Sequence, residues 1–247
     1  MIDKDNPLPL YHQIKQELKK KIKNNKYDIG KPIPSETELM AKYKVSRMTI
    51  RLAIEELERE GYVKKVQGKG TFVRRKKVTQ ELNVITSWTE TMKAQGKEPV
   101  TMAMVTKELD APPDLAQEMK IEAGTKLYYI ERLRYADGEP VCIGKVYVVA
   151  KYAPGLLEQP GIKDSIYKVL ESKYNVELAT ASEVVEAYAA DPDQAEMLNI
   201  DVGYPMLSVT RLSFDPLGNT IELSQVSTRA DRYAYRVTLH GRYRNKD

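Results

Sequence analysis

The sequence predicts an α+β protein of two domains, with short helices and a hairpin in the first domain and an antiparallel sheet in the second. In residues 1–73 apolar residues recur three times at helical spacing, and two short β-rich runs follow. Residues 1–77 hold 20 Lys and Arg against 10 Asp and Glu, whereas the rest of the chain holds 19 against 25. The second part also contains an internal repeat with a constant offset of 79 residues. This division suggests a nucleic-acid-binding domain joined to an acidic domain with a different task, with chance variation as the alternative.

Composition excludes several classes of protein. With 42% hydrophobic and 30% charged residues over 247 positions, the chain is typical of a globular protein with a sizeable core. It has no apolar run long enough to span a bilayer, and its first ten residues lack the pattern of a signal peptide. We therefore expect a cytoplasmic protein without a membrane partner. The single cysteine, Cys142, excludes an intramolecular disulfide, and its apolar neighbours predict an inert core position.

The first predicted element is an amphipathic helix from about Leu10 to Asn24. Apolar side chains recur along one face, and lysines fill the remaining surface. Asn24, Asn25 and then Gly30 and Pro32 end it. The apolar positions are Tyr11, Ile14, Leu18 and Ile22, and the lysines are Lys15, Lys19, Lys20, Lys21 and Lys23.

Two short helices follow, each opened by a serine. Ser35 and Glu38 form a capping box that predicts the start of the second helix, and Ser46 is expected to cap the third. The third helix carries Arg47 and Arg51 near its start, where a cation opposes the helix macrodipole. The two arginines lie one turn apart and share a face, so they are expected to meet an anion rather than to stabilise the helix.

Two short helices joined by a tight turn form the helix-turn-helix arrangement, in which the start of the second helix reaches base edges in the major groove. Here that start carries Arg47, Thr49 and Arg51, while apolar residues recur on the opposite face. A solvated face is the alternative for a lone arginine pair. The segment YVKKVQGKGTFV then predicts a hairpin, or wing, whose tip lets the backbone approach a phosphate or the minor groove closely.

The segment IPSETELMAKYKVSRMTIRLAIEELEREGYVKKVQGKGTFV resembles the winged helix-turn-helix domain of the GntR family of bacterial transcription regulators, over about residues 8–73. The resemblance implies binding to double-stranded operator DNA by a domain spanning residues 1–73. Family members commonly have an arginine after the PSE motif and a polar residue later in the third helix, where this chain has Thr37 and Leu52. The predicted DNA-binding residues are Ser35, Thr37, Ser46, Arg47, Thr49, Arg51, Gly68, Lys69 and Gly70.

A linker is predicted over residues 74–83, followed by a second domain over residues 84–247. The repeat within it aligns APPDLAQEMKIEAGTKLYYIERL with AADPDQAEMLNIDVGYPMLSVTRL. Each copy predicts a short helix opened by Asp, a glycine turn, a long strand and a polar turn into another strand. Two copies indicate one domain built from related halves around a shared antiparallel sheet, with a ligand site where the halves meet. The matched positions include Gly124 with Gly203 and Arg132 with Arg211.

Two features of the second domain suit an anion. The predicted strand LYYIERLRY places Arg132 and Arg134 on one side, which fits a bidentate grip on phosphate or carboxylate. The segment KDSIYKVLESKY begins a helix near Asp164 or Ser165, where free N–H groups can meet an anion. Taken singly, each feature favours a structural role: exposed arginines, a helix cap and a core tyrosine, Tyr167.

Residues 80–243 resemble the UTRA effector-binding domain of the HutC subfamily, which has a chorismate-lyase-like fold. The motifs that carry the resemblance are the R-x-R of Arg132 and Arg134, SIY, Glu222, RADRYAY and TSWTETMKAQG. In amino-sugar-phosphate-sensing relatives, the arginines and the helix start hold the phosphate and acidic residues meet sugar hydroxyls. This chain has Gly144 and Thr228 where those relatives have a second Glu and a Tyr. The implied effector-binding residues are Ser87, Trp88, Thr89, Arg132, Arg134, Ser165, Tyr167, Glu222 and Thr228.

These features predict a homodimeric transcription regulator that represses a sugar or amino-sugar catabolic operon until a phosphorylated sugar releases it. A different small anionic metabolite, such as an organic acid or a phosphonate, is the alternative effector. An enzyme on the lyase-like fold and an architectural DNA binder without an effector are the rival classes. Against an enzyme, the chain has only two histidines, His12 and His240, and no metal-ligand spacing, nucleophile elbow or Walker loop. We expect no catalytic residues, metal or cofactor.

Overall fold

The computed structural model describes residues 7–24, 26–28, 30–74 and 77–240. Asn25 and residues 75 and 76 of the predicted linker lie outside this part of the chain. The chain divides into two compact units, Met1–Lys76 and Lys77–Asp247, close to the predicted domain boundary. None of the described helices is both long and apolar enough to cross a membrane.

The described part of the N-terminal unit contains three helices and one hairpin, as the sequence predicts. The helices are α1 (Leu10–Lys23), α2 (Glu36–Tyr43) and α3 (Arg47–Arg59), and the hairpin is formed by β1 (Val63–Val66) and β2 (Gly70–Val73). The two strands are antiparallel. The apolar faces of all five elements bury one core, which consists of Ile14, Leu18, Ile22, Ile33, Leu39, Tyr43, Ile50, Ala53, Ile54, Leu57, Val63 and Val73.

The predicted serine caps are present at both short helices. Ser35 accepts a hydrogen bond from the Glu38 N–H, and the Glu38 carboxylate accepts from the Ser35 N–H, which completes the capping box. Ser46 accepts from the Thr49 N–H at the start of α3. Between the helices, Lys44 adopts the left-handed conformation at φ 52° and makes the connection tight.

The C-terminal unit is built on a six-stranded antiparallel sheet in the order β4-β5-β6-β9-β8-β7. A second, two-stranded sheet pairs β3 with β10 in parallel. The strands are β3 (Val78–Glu81), β4 (Pro99–Asp110), β5 (Lys126–Ala136), β6 (Glu139–Val149), β7 (Thr180–Ala189), β8 (Pro205–Phe214), β9 (Thr220–Arg229) and β10 (Tyr233–Arg236). The helices are α4 (Trp88–Ala94), α5 (Pro113–Met119), α6 (Ile166–Tyr174) and α7 (Pro192–Leu198).

The internal repeat is present in three dimensions. Each half runs strand, helix, strand, strand, with β4, α5, β5 and β6 in the first half and β7, α7, β8 and β9 in the second. The halves meet where β6 pairs with β9, as the repeat predicted. Gly124 and Gly203 both adopt φ of +81°, a conformation that favours glycine, and their N–H groups donate to Ala111 and Ala190 respectively.

Two details of the repeat differ from the prediction. The first strand of each half, β4 and β7, was not predicted, because edge strands with exposed faces lack a clear alternation of apolar and polar residues. Asp191 caps α7 as expected, but α5 has Pro112 at its cap position and no side-chain cap. The prediction that an Asp opens the helix of each copy is therefore correct for the second copy and wrong for the first.

The predicted linker is wrong from residue 78 onward. Residues Val78–Glu81 form β3, which pairs with a strand 155 residues later in the chain. Val78 is buried among Met92, Val141 and Tyr233, so this segment has the core partners that a linker lacks. Because its pairing partner is so distant in sequence, no local pattern signals the strand.

Candidate functional site

The start of α3 presents the predicted DNA-reading side chains to solvent. The side chains of Arg47 and Arg51 are 73% and 48% exposed, whereas Ile50 and Ile54 behind them are buried. The Thr49 hydroxyl lies 2.9 Å from the Ser46 hydroxyl. Thr37 and Leu52, the two departures from the family pattern, are also exposed. The surface that a helix-turn-helix domain offers to a major groove is therefore free of core contacts.

Both arginines at the start of α3 are paired with carboxylates. Arg47 Nε donates to Glu36 Oε2 at 2.9 Å, and Arg51 Nη2 lies 3.6 Å from Glu55 Oε1. The Arg51–Glu55 pair is about half exposed on both sides, so it is weak and Arg51 can exchange Glu55 for another anion. Glu36 is more sheltered, with 18% of its side chain exposed.

The tip of the hairpin has the predicted glycine geometry. Gly68 and Gly70 adopt φ of +73° and +116°, where other residues are strained. The Lys69 N–H donates to the Val66 carbonyl at 3.0 Å, and the tip is exposed. A backbone without side chains next to an exposed lysine suits close approach to a nucleic-acid backbone.

The C-terminal unit contains a cavity that opens to solvent, and the empty space within it and at its mouth together is about 710 Å³. Strands from both halves of the repeat, the ribbon of β3 and β10, the start of α4 and the start of α6 supply its lining. Seven predicted effector-binding residues line it: Ser87, Trp88, Arg132, Arg134, Ser165, Tyr167 and Glu222.

Arg132 and Arg134 are buried on β5, at 6% and 5% exposure, and the predicted alternative of exposed arginines is wrong. Arg132 Nη1 donates to the Ile162 carbonyl at 2.9 Å, and Arg134 Nη1 lies 3.3 Å from the Thr89 hydroxyl and 3.4 Å from the Asp164 carbonyl. Neither arginine forms a salt bridge with any described carboxylate. Burial, followed by the charge of Arg134, lowers the pKa of Arg132 well below its usual value.

The start of α6 lies at the same cavity. Ser165 caps the helix by accepting from the Lys168 N–H at 3.2 Å, and its own side chain is buried. The N–H groups of Ile166 and Tyr167 point to no acceptor within the described chain, as expected in the first turn of a helix. The cavity therefore combines two buried guanidinium groups with a helix N-terminus, which together favour an anion.

A hydrogen-bonded chain crosses the other side of the cavity. Arg211 Nη1 donates to the Tyr167 hydroxyl at 3.0 Å, which donates to Glu222 Oε1 at 2.6 Å. Ser213 Oγ donates to the same carboxylate oxygen at 3.0 Å, and Glu183 forms a salt bridge with Arg211. Burial raises the pKa of the Glu222 carboxyl, while the hydrogen bond from Tyr167 and the charge of Arg211 oppose that increase.

Arg211 was not predicted as a site residue. The repeat contains the signal that identifies it, since Arg211 stands 79 positions after Arg132 on the equivalent strand. Both side chains are buried and line the same cavity. Repeat-related positions lie at equivalent places on a shared sheet, so the offset marks Arg211 as a candidate for the same cavity.

Two predicted effector-binding residues do not line the cavity, and two residues that were not predicted to bind the effector do line it. Thr89 and Thr228 do not line the cavity: the Thr89 hydroxyl supports Arg134 and donates to the Asp164 carbonyl, and the fully buried Thr228 lies 3.3 Å from the Leu207 carbonyl. Cys142 is fully buried as predicted but contributes to the cavity wall, and burial raises the pKa of its thiol to about 12. Gly144 also lines the cavity, and a Cβ added there would meet nothing within 4 Å.

The family models and known relatives agree with this arrangement. Residues 10–73 match the model of bacterial regulatory proteins of the gntR family, and residues 94–234 match the UTRA domain. The transcriptional repressor NagR of Bacillus subtilis is 32% identical over 95% of this chain and 96% of its own. This chain is a member of the GntR family. The two domains together place it in the HutC subfamily.

Further relatives support the same conclusion. A probable fructoselysine utilization operon repressor of Escherichia coli K12 is 28% identical over 90% of this chain and 91% of its own. The crystal structure of PhnF from Mycobacterium smegmatis is 28% identical, with a TM-score of 0.72 over 93% of this chain and all of that one. The α+β fold predicted from sequence is thereby confirmed, and GntR-family proteins are transcription regulators rather than a class of enzymes.

Proposed function

We propose that this chain is a homodimeric transcription repressor of a sugar or amino-sugar catabolic operon, and that a phosphorylated sugar releases it from its operator. The observation that carries the effector part is the buried pair Arg132 and Arg134, which has no carboxylate partner within the described residues and lines a cavity. Glu222 attracts Arg132 only from beyond salt-bridge distance, and buried charges without a carboxylate in direct contact are costly, so we infer that an anionic ligand completes the site.

A phosphate fits this end of the cavity better than a monoanion. Two guanidinium groups carry two positive charges, and a phosphate monoester supplies nearly two negative ones together with three acceptor oxygens. The free N–H groups at the start of α6 add donors and a favourable dipole. The proposed phosphate position is therefore bounded by Arg132, Arg134 and the turn that begins at Ser165.

The remainder of the cavity suits a polyol. Glu222 Oε1 accepts two hydrogen bonds, whereas no described residue donates to Oε2. Gln80, Ser87 and Ser224 provide further polar side chains on the lining. Sugar hydroxyls are donors and acceptors at once, so they match this mixture of groups. The names of the relatives NagR and fructoselysine repressor are consistent with this class of operon.

A phosphonate or an organic acid is the second candidate effector. Gly144 leaves space where a side chain would otherwise stand, and Val146, Val209 and Val226 give part of the wall an apolar character. A compact anion with fewer hydroxyl groups than a hexose phosphate would match that wall.

The proposed coupling runs through β3. This strand contributes Gln80 to the cavity wall and begins just after the boundary between the two units. An effector that draws β3 toward the cavity would reorient the DNA-binding domains of the dimer, and couplings of this sort typically amount to about 1–3 kcal/mol. Linkage is reciprocal, so operator DNA must shift effector affinity by the same factor.

Calorimetry on the full chain tests the proposal. Glucose 6-phosphate, glucosamine 6-phosphate, N-acetylglucosamine 6-phosphate, citrate, methylphosphonate and inorganic phosphate form the panel, each titrated with and without operator DNA. We expect at least one sugar phosphate to bind more tightly than inorganic phosphate and to bind more weakly in the presence of operator. Preference for citrate or methylphosphonate would favour the second candidate, and no binding across the panel would contradict both.

Light scattering tests the proposed dimer. A two-fold protein places its recognition helices on equivalent major-groove half-sites, so a near-palindromic operator is expected. A mass near that of one 28.2 kDa chain, together with undiminished operator affinity at that concentration, would contradict the dimer.

A further inference from the structure

The first residue of α2, Glu36, holds cations from two other elements of the DNA-binding unit. Its Oε2 accepts from Arg47 Nε at 2.9 Å, and its Oε1 accepts from Lys65 Nζ at 3.3 Å. Arg47 begins α3 and Lys65 lies on the first strand of the wing. The Glu36 carboxylate thus connects α2 with the start of α3 and with the first strand of the wing. In a helix-turn-helix domain α3 is the recognition helix, which enters the major groove.

Glu36 is available for this task because a neighbour performs the capping. The carboxylate of Glu38 is occupied by the N–H and hydroxyl of Ser35. The Glu36 side chain is only 18% exposed, whereas those of Arg47 and Lys65 are 73% and 49% exposed. The anion is the sheltered member of the cluster, and its cations extend toward solvent.

The hydrogen bond to Glu36 leaves the terminal nitrogens of Arg47 free to contact a base. Its Nε is occupied by Glu36, while its two terminal nitrogens make no hydrogen bond to any residue that the structure describes. Arginine reads guanine through two parallel N–H groups directed at O6 and N7. A guanidinium held at Nε can still offer its terminal nitrogens in that way, with less side-chain freedom to lose on binding.

Arg51 lacks an equivalent arrangement. Its contact with Glu55 is a single 3.6 Å approach one turn along the same helix, and both side chains are about half exposed. An exposed pair of this kind contributes little and holds a side chain only loosely. The two arginines therefore differ in how firmly they are positioned before DNA arrives.

The wing is tied to the same cluster from two sides. The Lys65 backbone N–H donates to Glu58 Oε1 of α3 at 2.8 Å, while its side chain reaches Glu36 on α2. Glu36 thus helps to set the position of β1 relative to the recognition helix.

We propose that Glu36 is a positioning residue for sequence reading, which orients the Arg47 guanidinium toward a base edge and links it to the wing. Its negative charge also disfavours seating of Arg47 on a phosphate, so it lowers binding to arbitrary DNA as it raises selectivity. This inference rests on the proposed operator-binding function and adds a residue that itself touches no base.

The test compares Glu36→Gln with Glu55→Gln in the full-length dimer. Wild-type protein first selects its preferred duplex from a random-sequence library, and affinities for that duplex and for a scrambled one are then measured over a range of salt concentrations. Both substitutions remove one negative charge next to a recognition arginine, so both should tighten binding to the scrambled duplex slightly. Only Glu36→Gln should reduce the ratio of the two affinities, by about tenfold, the scale of coupling within a salt-bridge network.

A double-mutant cycle tests whether Glu36 acts on sequence selectivity through Arg47. In an Arg47→Ala background, Glu36→Gln should change the affinity ratio no further, because the side chain on which it acts is gone. An unchanged ratio in the single variant, or a drop that persists without Arg47, would overturn the inference. Glu36→Asp, which keeps the charge but shortens the reach, should fall between wild type and Glu36→Gln, and thermal melting checks that all variants are folded.

Failure of the inference and failure of the proposed function give different results. Selection of a specific duplex by the wild type, with the same ratio in Glu36→Gln, removes only the role of Glu36. Selection of no sequence by the wild type overturns operator binding itself, and the role of Glu36 with it.

Discussion

The arginine pair Arg47 and Arg51 and the pair Arg132 and Arg134 have opposite surroundings. Arg47 and Arg51 are exposed at a helix start, and each has a carboxylate beside it. Arg132 and Arg134 are buried on a strand, and their described hydrogen-bond partners are carbonyl and hydroxyl oxygens, while the Arg134 guanidinium also lies 4.8 Å from the centre of the Trp88 ring. Spacing in the sequence, with one pair four residues apart and the other two, predicted a shared face in both cases.

The difference shows how burial changes what a cation requires. In water a guanidinium can lose a carboxylate partner, or keep it while another nitrogen meets DNA, at little cost, so both exposed arginines can have carboxylate partners before DNA binds. Inside a cavity the same group is expensive without a counter-charge, and a carboxylate of the protein would compete with an anionic ligand. The first pair therefore suits a polymer with repeated anions, and the second suits one small anion.

The largest expected effect comes from removing the buried pair. Arg132→Met together with Arg134→Met should weaken effector binding by about 100-fold or more, since each hydrogen bond to a charged group contributes about 1.5–3 kcal/mol. The effector-free variant should melt at the same temperature as wild type or higher, because two uncompensated buried charges are gone. Calorimetry and thermal melting measure the two quantities.

The matched control for the buried pair is Arg232→Met. Arg232 is 8% exposed and lies outside the cavity lining, and it forms a salt bridge with Glu139. Its loss should lower the melting temperature and leave effector affinity unchanged. An effector response that survives the double substitution would place the anion site elsewhere.

Removal of the exposed pair should have an intermediate effect. Arg47→Ala and Arg51→Ala should each reduce discrimination between the operator and other sequences by about 1–3 kcal/mol if each side chain reads a guanine edge. Effector affinity of the free protein should not change, and calorimetry provides that control. Equal losses on the operator and on a scrambled duplex for Arg51→Ala would remove Arg51 from the base-reading residues.

A smaller effect is expected from Glu222→Gln, which should change how the stability of the protein depends on pH. Burial raises the pKa of Glu222 above its usual 4.5, so the folded protein binds this proton more tightly than the unfolded chain. The stability of wild type relative to Glu222→Gln should therefore rise as pH falls from 7 toward 4.5. The difference should amount to a few degrees in melting temperature for a unit of this size.

An exposed glutamate on α6 provides the comparison for that pH effect. Glu171→Gln removes the same charge at a solvent-exposed position, and its melting curve should follow wild type at every pH. Identical pH profiles for Glu222→Gln and wild type would show that the Glu222 carboxylate is as stable in the folded protein as in water.

The smallest expected effect is at the wing tip. Lys69→Ala should weaken binding to all sequences alike and reduce the log–log salt slope by about 0.9, since one phosphate contact is lost. Lys93→Ala, which removes an exposed lysine of the C-terminal unit, should leave the slope unchanged. A loss confined to the operator would mean that Lys69 reads sequence rather than charge.

Most of the fold could be predicted because its signals are local. Ser35 with Glu38, and Ser46 with Thr49, act within one helical turn, and both caps are present. The repeat identified the related halves of the sheet because equivalent segments must form equivalent structures. Strand β3 could not be predicted, since its backbone pairs with residues 155 positions later and its own four residues have no distinctive pattern.

The sequence by itself determined the helix starts, the glycine turns and the faces on which the arginines lie, because these depend on neighbours within a few residues. It also determined the repeat, because the two copies match at a constant offset. Only the tertiary structure decided how each arginine is satisfied. Whether Arg132 faces water or a cavity, whether Arg211 joins it, and whether Glu36 meets both Arg47 and Lys65 depend on packing between distant segments. The reason is electrostatic: the cost of a charge is set by the groups and the water around it, and distant parts of the chain bring most of those groups together.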